Sequence, residues 1–488
     1  MLLNAMKNTT YTENGALTNK STMKAMLDFF ALAGSMRNRK ESDIISLFDK
    51  AYEEDEVGAI VLAFYFRDCR EGQGERRLFR VVMHHLAKKN KSAVISLLPL
   101  IMDYGRGDDF YCLVDTPVET EMFKHIKQQL AEDWNAEFPS LLAKWVKSEN
   151  ASSPKTKQLA KKTRLALGMS PKQYRQGLSA IRAKLNLIET KMTQGRWSEI
   201  EYDKIPSKAG MQYRSAFHRH DRERYLDFIT PKVVNGQKQE VVVNAKTLYP
   251  YEIVGKCLNA GYRGMSDVDQ LTMDAYWNNL PDYLNGEDSN ALAVVDVSGS
   301  MFGTPIEVAI SLGMYVAEKN QGEFHNHFMT FSSEPSLVEI QGETLYEKVS
   351  NMSCAHWGVS TKIEGVFLKI LSTALRNNMT QKDMPSLVYI ISDMEFNNCM
   401  SDAHRQETVF QNLERQYKEA GFELPHLVFW NVDARNNNIP MIGKGNYSLV
   451  SGFSPAIFES VMKRVSAEEV MYDVINKERY IPIKEALA

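Results

Sequence analysis

At 488 residues the chain is too long for one ordinary core, and 44% hydrophobic with 24% charged residues excludes a disordered or fibrous chain in favour of ordered globular domains. A formal net charge of -3 excludes a uniformly basic or acidic surface. The balance is uneven, however: between Lys144 and Asp227 there are 19 Lys or Arg against 8 Asp or Glu, a local excess that attracts polyanions.

The five cysteines, Cys69, Cys112, Cys257, Cys354 and Cys399, form no CxxC pair, which argues against a disulfide framework or a zinc site and for a reducing compartment. Met1 to Lys7 is too poor in apolar residues for a signal peptide. No segment approaches the ~20 apolar residues of a membrane helix. A soluble, cytoplasmic monomer with no membrane partner is expected.

In chain order, Ser21 to Phe228 reads as helices. Apolar residues recur at three- and four-residue spacing in Met23-Met26-Leu27-Phe30, Ile44-Leu47-Phe48-Ala51, Ile60-Phe64, Leu78-Val81-Val82-Leu86 and Val94-Leu97-Leu98-Ile101. Short connections such as Gly72-Gln73-Gly74 suggest a HEAT-type array of helical hairpins. Asn235-Gly236, flanked by Val233-Val234 and Val241-Val242-Val243, signals a β-hairpin. Helices resume near Tyr251–Val254 and Asp267–Tyr276, and Pro281 to Asn290 reads as a linker. From Ala291 the pattern turns α/β. Ala291–Val295, Phe324–Phe331, Ser386–Ile391 and Leu427–Trp430 are expected strands separated by helix-length segments, which implies a doubly wound, Rossmann-like parallel sheet. The expected division is 1–285 helical and 286–488 α/β.

The clearest chemistry follows the first strand of that sheet. Asp296 lies at its carboxyl end, where open parallel sheets form their ligand crevice, and Ser298 and Ser300 follow in the loop before a helix expected near Pro305. Thr361, in a loop that opens a helix, and Asp393, at the end of another strand, reach the same crevice. Carboxylates and hydroxyls are hard oxygen ligands, suited to Mg²⁺ or another divalent cation of that kind. Ser360 is the alternative hydroxyl if the loop is shifted by one residue.

The Asp-x-Ser-x-Ser loop with the later Thr and Asp resembles the metal-ion-dependent adhesion site of von Willebrand factor A domains. That resemblance implies one bound divalent ion with a coordination position open to an acidic group on a protein partner. Lys362 departs from it, standing where the family often has Asp or Asn.

The segment from Arg67 to Arg80, with Tyr104-Gly105-Arg106-Gly107-Asp108-Asp109 and the run from Tyr174 to Tyr225, resembles the TROVE module of Ro ribonucleoproteins and its phage and bacterial relatives. The order of a TROVE module followed by an A domain is the Ro arrangement. The resemblance implies a HEAT-like helical ring closed by the A domain, with single-stranded RNA ends in a basic hole and small structured RNA, Y-like or misfolded, on the outside. Arg70, Arg76, Arg77, Lys172, Arg175, Arg182, Lys208, Arg219 and Arg222 are the candidate RNA contacts, since cations neutralise phosphates and guanidinium or aromatic planes stack on unpaired bases. Asp68 and Glu75 are expected to fix a helix turn, and His218 and His220, two apart on a helix, to diverge. No P-loop, GxGxxG, GxSxG or HExxH pattern occurs, so no catalytic role is expected. The competing reading is a protein-interaction module that uses the metal site and binds no RNA.

Overall fold

The computed structural model describes residues 8–234, 237–239, 241–261, 264–284, 290–331, 335–353, 362–397, 408–443 and 445–488. A helical region precedes an α/β region built on a mixed six-stranded sheet. The helices follow the apolar spacing. Glu41–Glu54 buries Ile44, Leu47, Phe48 and Ala51 on one stripe, and Arg76–Lys89 buries Leu78, Phe79, Val82, Met83, Leu86 and Ala87. Asp55 caps Glu56–Arg67 by accepting from the Gly58 amide. Rings lock successive helices together edge to face, with Phe29–Phe48 centroids 5.8 Å apart and Phe64–Phe79 centroids 5.1 Å apart. A smaller core of Ile200, Tyr202, Ile205, Phe217, Tyr225 and Ile229 sits apart from the main one.

The strands, in chain order, are β1 (Thr9–Tyr11), β2 (Leu17–Asn19), β3 (Lys232–Val234), β4 (Gln237–Gln239), β5 (Ala291–Asp296), β6 (His327–Phe331), β7 (Ser336–Glu339), β8 (Leu387–Ser392), β9 (His426–Asn431) and β10 (Tyr447–Ser451). The large sheet runs β10-β9-β8-β5-β6-β7, parallel except for β7. Strands β5, β8, β9 and β10 are buried along their whole length, which explains the unbroken apolar runs of the first three. From β5 the chain goes first to one side, to β6, and later returns to the other, to β8. The strand order therefore reverses between β5 and β8, and a crevice opens there at their carboxyl ends.

All four expected strands are present, with ends shifted by no more than three residues. Strands β7 and β10 were not expected. The hairpin near Val233 is shorter than its pattern, for Val241 to Val243 lie beyond it, and Asn235, Gly236 and Glu240 fall outside the described residues. The helix expected near Pro305 is Thr304–Lys319.

Residues 8–40 cross over to the α/β region. Helix Ala25–Ala33 ends against β10, where the Gly34 amide donates to Ser451 Oγ at 3.0 Å and Ser451 Oγ donates to Phe30 O at 3.0 Å. A Cβ on Gly34 would come within 2.5 Å of Ser451 O, so this close approach requires glycine. The antiparallel pair β1–β2 lies along the chain that follows β8 and exchanges backbone hydrogen bonds between Asn19 and Ile439.

Candidate metal centre

Asp296 ends β5 and Asp393 directly follows β8, so two adjacent parallel strands deliver their carboxylates to the switch-point crevice. Both are buried. Asp296 Oδ1 accepts from the Ser298 amide at 2.9 Å, and its Oδ2 accepts from Ser392 Oγ at 2.7 Å. Burial, and then the negative charge of Asp393, push the Asp296 carboxyl up to about 7. Ser298 Oγ and Ser300 Oγ lie 3.0 Å apart beyond it. Met394, after Asp393, has a φ of 63°, a left-handed conformation that costs a non-glycine residue of order 1 kcal/mol.

The remaining neighbours of Asp393 are polar. Its Oδ1 accepts from the Glu395 amide at 3.1 Å, and its Oδ2 from Arg435 Nη2 at 2.7 Å. Arg435 also meets Glu13 of the β1–β2 turn at 2.8 Å. Against the burial that would lower it, Asp393, Glu13 and Glu395 hold the guanidinium above its ordinary value. Asn436 Nδ2 donates to both Glu13 and Glu395, at 3.1 and 2.8 Å. The Glu13 amide donates to Glu395 Oε2 at 2.7 Å, and Thr12 Oγ1 donates to Phe396 O at 2.6 Å. The β1–β2 turn thus forms one wall of the crevice rim. Phe302, two residues past Ser300, is 89% exposed.

Asp296, Ser298, Ser300 and Asp393 are therefore together, while Thr361 and its alternative Ser360 lie outside the described residues. Among the described residues no group of three or more His, Cys, Asp or Glu is arranged to hold a metal ion. The candidate set is instead two carboxylates with hydroxyls. Its donors are all hard oxygens, and two carboxylates buried side by side are the arrangement a divalent cation relieves, so the residues fit the ion.

The candidate RNA residues are scattered over the helical region. Lys172 and Arg175 stand exposed on helix Pro171–Lys184 without an acidic partner among the described residues. Arg182, on the same helix, donates to Ala143 O and Val146 O at 2.7 and 2.8 Å. Arg70 reaches Asp103 O at 2.9 Å and Arg77 reaches Arg37 O at 3.3 Å. Lys208 pairs with Glu252 at 3.0 Å and lies over the Tyr249 ring. Arg76 is exposed, and partial burial together with Arg106, Arg67 and Arg80 holds it below its ordinary value. Arg219 and Arg222 line a common cleft. Asp68 and Glu75 are structural as expected, with more distant partners: Asp68 pairs with Arg479, and Glu75 caps Arg76–Lys89 while pairing with Arg37. Arg67 pairs with Asp109 at 2.7 Å.

The family described as "Domain of unknown function (DUF7788)" matches residues 290–485. That described as "Domain of unknown function (DUF2828)" matches residues 12–104 and 132–288. An uncharacterized protein of Acanthamoeba polyphaga mimivirus is 31% identical over 506 residues, covering 95% of this chain and 86% of that protein. These matches overturn the resemblance to Ro ribonucleoproteins, because Arg67–Arg80 and Tyr174–Tyr225, which carried it, fall inside a different family. Part of that resemblance has a structural cause here. Arg67, Asp68 and Asp109 are spent on buried ion pairs that anchor helices. Among the described residues no helix is long and apolar enough to cross a membrane.

Proposed function

We propose a function for a chain that belongs to the family described as "Domain of unknown function (DUF2828)": it is a divalent-cation-dependent interaction protein. The observation that carries this reading is the buried, mutually repelling pair Asp296 and Asp393 beside the Ser298 and Ser300 hydroxyls, at the switch point of a parallel sheet. Asp296, Ser298, Ser300 and Asp393, with Thr361 as the fifth donor, would hold Mg²⁺. When bound, the ion would supply a positive charge for an acidic group of a protein partner. Phe302 supports the same reading, because an exposed ring two residues past Ser300 gives a partner an apolar anchor. The finer architecture inferred with it is a von Willebrand factor A-type fold from 286 and HEAT-type pairing of the helices before it. No catalytic activity is part of the proposal. The test is calorimetric titration of the metal-free protein with Mg²⁺ and Mn²⁺. Saturable one-site binding that Asp296→Asn abolishes is expected, and a wild-type protein that takes up neither ion would sink the idea.

A second reading, binding of RNA by the helical region, is favoured by Lys172, Arg175, Arg219 and Arg222, exposed cations with no acidic partner among the described residues. Helices keep most surface cations paired or solvated singly. A surface that leaves several uncompensated within one basic stretch favours a polyanion.

A further inference from the structure

We propose that Glu13, in the turn between β1 and β2, is a positioning residue of the cation site. It draws the Arg435 guanidinium away from Asp393, so that cation binding and docking of the turn favour one another; this rests on the cation reading above. The starting point is one guanidinium fork that serves two carboxylates. Arg435 Nη2 donates to Asp393 Oδ2 at 2.7 Å, and its Nη1 lies 2.8 Å from Glu13 Oε2. Glu395 does not take part in the fork, for its oxygens accept from the Glu13 amide at 2.7 Å and from Asn436 Nδ2 at 2.8 Å.

The two carboxylates that share Arg435 differ in setting. Asp393 is buried beside Asp296, whereas the side chains of Glu13 and Arg435 are 48% and 31% exposed. Without the ion, the fork neutralises Asp393. A cation in the crevice takes over that role, and its charge repels the guanidinium whichever Asp393 oxygen it meets. The fork then shifts its weight to Glu13, the anion on its solvent side. Without the Glu13 charge Arg435 stays committed to Asp393, and the cation has to bind against it.

The turn is held in place for this by contacts that leave the Glu13 carboxylate out. Thr12 Oγ1 donates to Phe396 O and Asn14 Nδ2 to Glu395 O, both at 2.6 Å, and Gly15 bridges to Asn397. All three anchors lie in the stretch that follows Asp393. Asn19 and Ile439 secure the far end of the pair. An ion pair as exposed as Glu13 with Arg435 adds little to folding, so its effect falls on the charge balance of the site. By linkage, a cation that releases Arg435 to Glu13 tightens the turn by the factor that Glu13 gives to the cation.

The experiment is calorimetric titration with Mg²⁺ and Mn²⁺ of the full chain, as a double-mutant cycle. Glu13→Gln keeps the amide contact to Glu395 and should leave the denaturation midpoint unchanged, yet weaken cation affinity at least about fivefold. In an Arg435→Ala background the same substitution should change affinity by less than about twofold, because the group through which it acts is gone. Hydrogen exchange supplies a readout from the other end. Saturating Mg²⁺ should slow exchange of the Glu13 and Ala16 amides in wild type and not in Glu13→Gln. Unchanged affinity in Glu13→Gln, or an equal loss in both backgrounds, would overturn the role assigned to Glu13 while the cation reading stands. A wild-type protein that takes up neither ion brings down both.

Discussion

Arg435 is an unusual neighbour for a proposed cation site, since it donates to the same Asp393 carboxylate that the proposed cation needs. A guanidinium there offsets part of the repulsion between Asp296 and Asp393, and it competes with the ion for one oxygen. Arg435→Ala is therefore expected to tighten Mg²⁺ or Mn²⁺ binding by roughly tenfold, given the few kcal/mol that a unit charge at this distance exerts in a half-buried setting. Calorimetry on the variant measures this, and equal or weaker affinity would show that Arg435 organises the site instead. Phe302→Ala should leave metal affinity unchanged and weaken capture of an acidic partner about tenfold. Surface plasmon resonance with a partner recovered from cross-linking would detect this, and unaltered capture would remove Phe302 from the interface. The placement of the candidate donors was legible, because Asp296, Ser298 and Asp393 follow short apolar runs that the structure forms into the buried strands β5 and β8. Arg435 and Glu13 were not, because their pairing joins segments that no local pattern relates, as the 382 residues between Glu13 and Glu395 illustrate.

Among the elements, β9 carries a titratable anchor. His426 begins it and contacts Asn446 and Ser448 Oγ, which introduce and belong to β10. Burial holds its imidazole below the ordinary value. The fold therefore favours the neutral ring, and the unfolded chain takes up a proton more readily. That stability is present above the unfolded value of about 6.5 and is lost as the pH falls through the depressed folded one. Denaturation from about pH 7.5 down to about pH 5 should show a loss that His426→Gln reduces. Parallel slopes for the two proteins would contradict this assignment. The same strand shows how far pattern reading reaches. β9 is a continuous apolar run and was readable. β10, Tyr447-Ser448-Leu449-Val450-Ser451, interleaves serines that look like a half-exposed strand or loop, yet all five residues are buried. Its serines are satisfied by partners remote in sequence, Ser448 by Val465 O and Ser451 by Phe30 O. β7 pairs only at the edge of the sheet, where a short amphipathic stretch carries little signal.

At the scale of the whole molecule, both ends of the chain brace the opposite half. Arg479 holds the wholly buried Asp68 carboxylate, with Nη2 at 2.9 Å from Oδ1, and Tyr480 stacks on Tyr104. Arg479→Ala strands that carboxylate without a counter-charge and should cost about 3 kcal/mol in chemical denaturation. Adding Asp68→Asn should restore part of the loss. A single-variant cost near zero would mean that water reaches Asp68 on local opening. Composition and strand–helix alternation announced two kinds of architecture in one chain, but not that they share walls. The apolar face of Ala25–Ala33 reads the same whether a helix or, as here, β10 covers it.

Helix Ile481–Leu487 buries Ile483 against helices Lys91–Leu97 and Glu56–Arg67. During synthesis at ~5–20 residues per second, the groove that receives it waits on the order of tens of seconds after those helices leave the ribosome. The growing chain thus exposes an apolar surface until helix Ile481–Leu487 covers it. Deleting residues 481–488 would leave that groove uncovered and is expected to yield a protein that remains a client for chaperones and aggregates where the intact one does not.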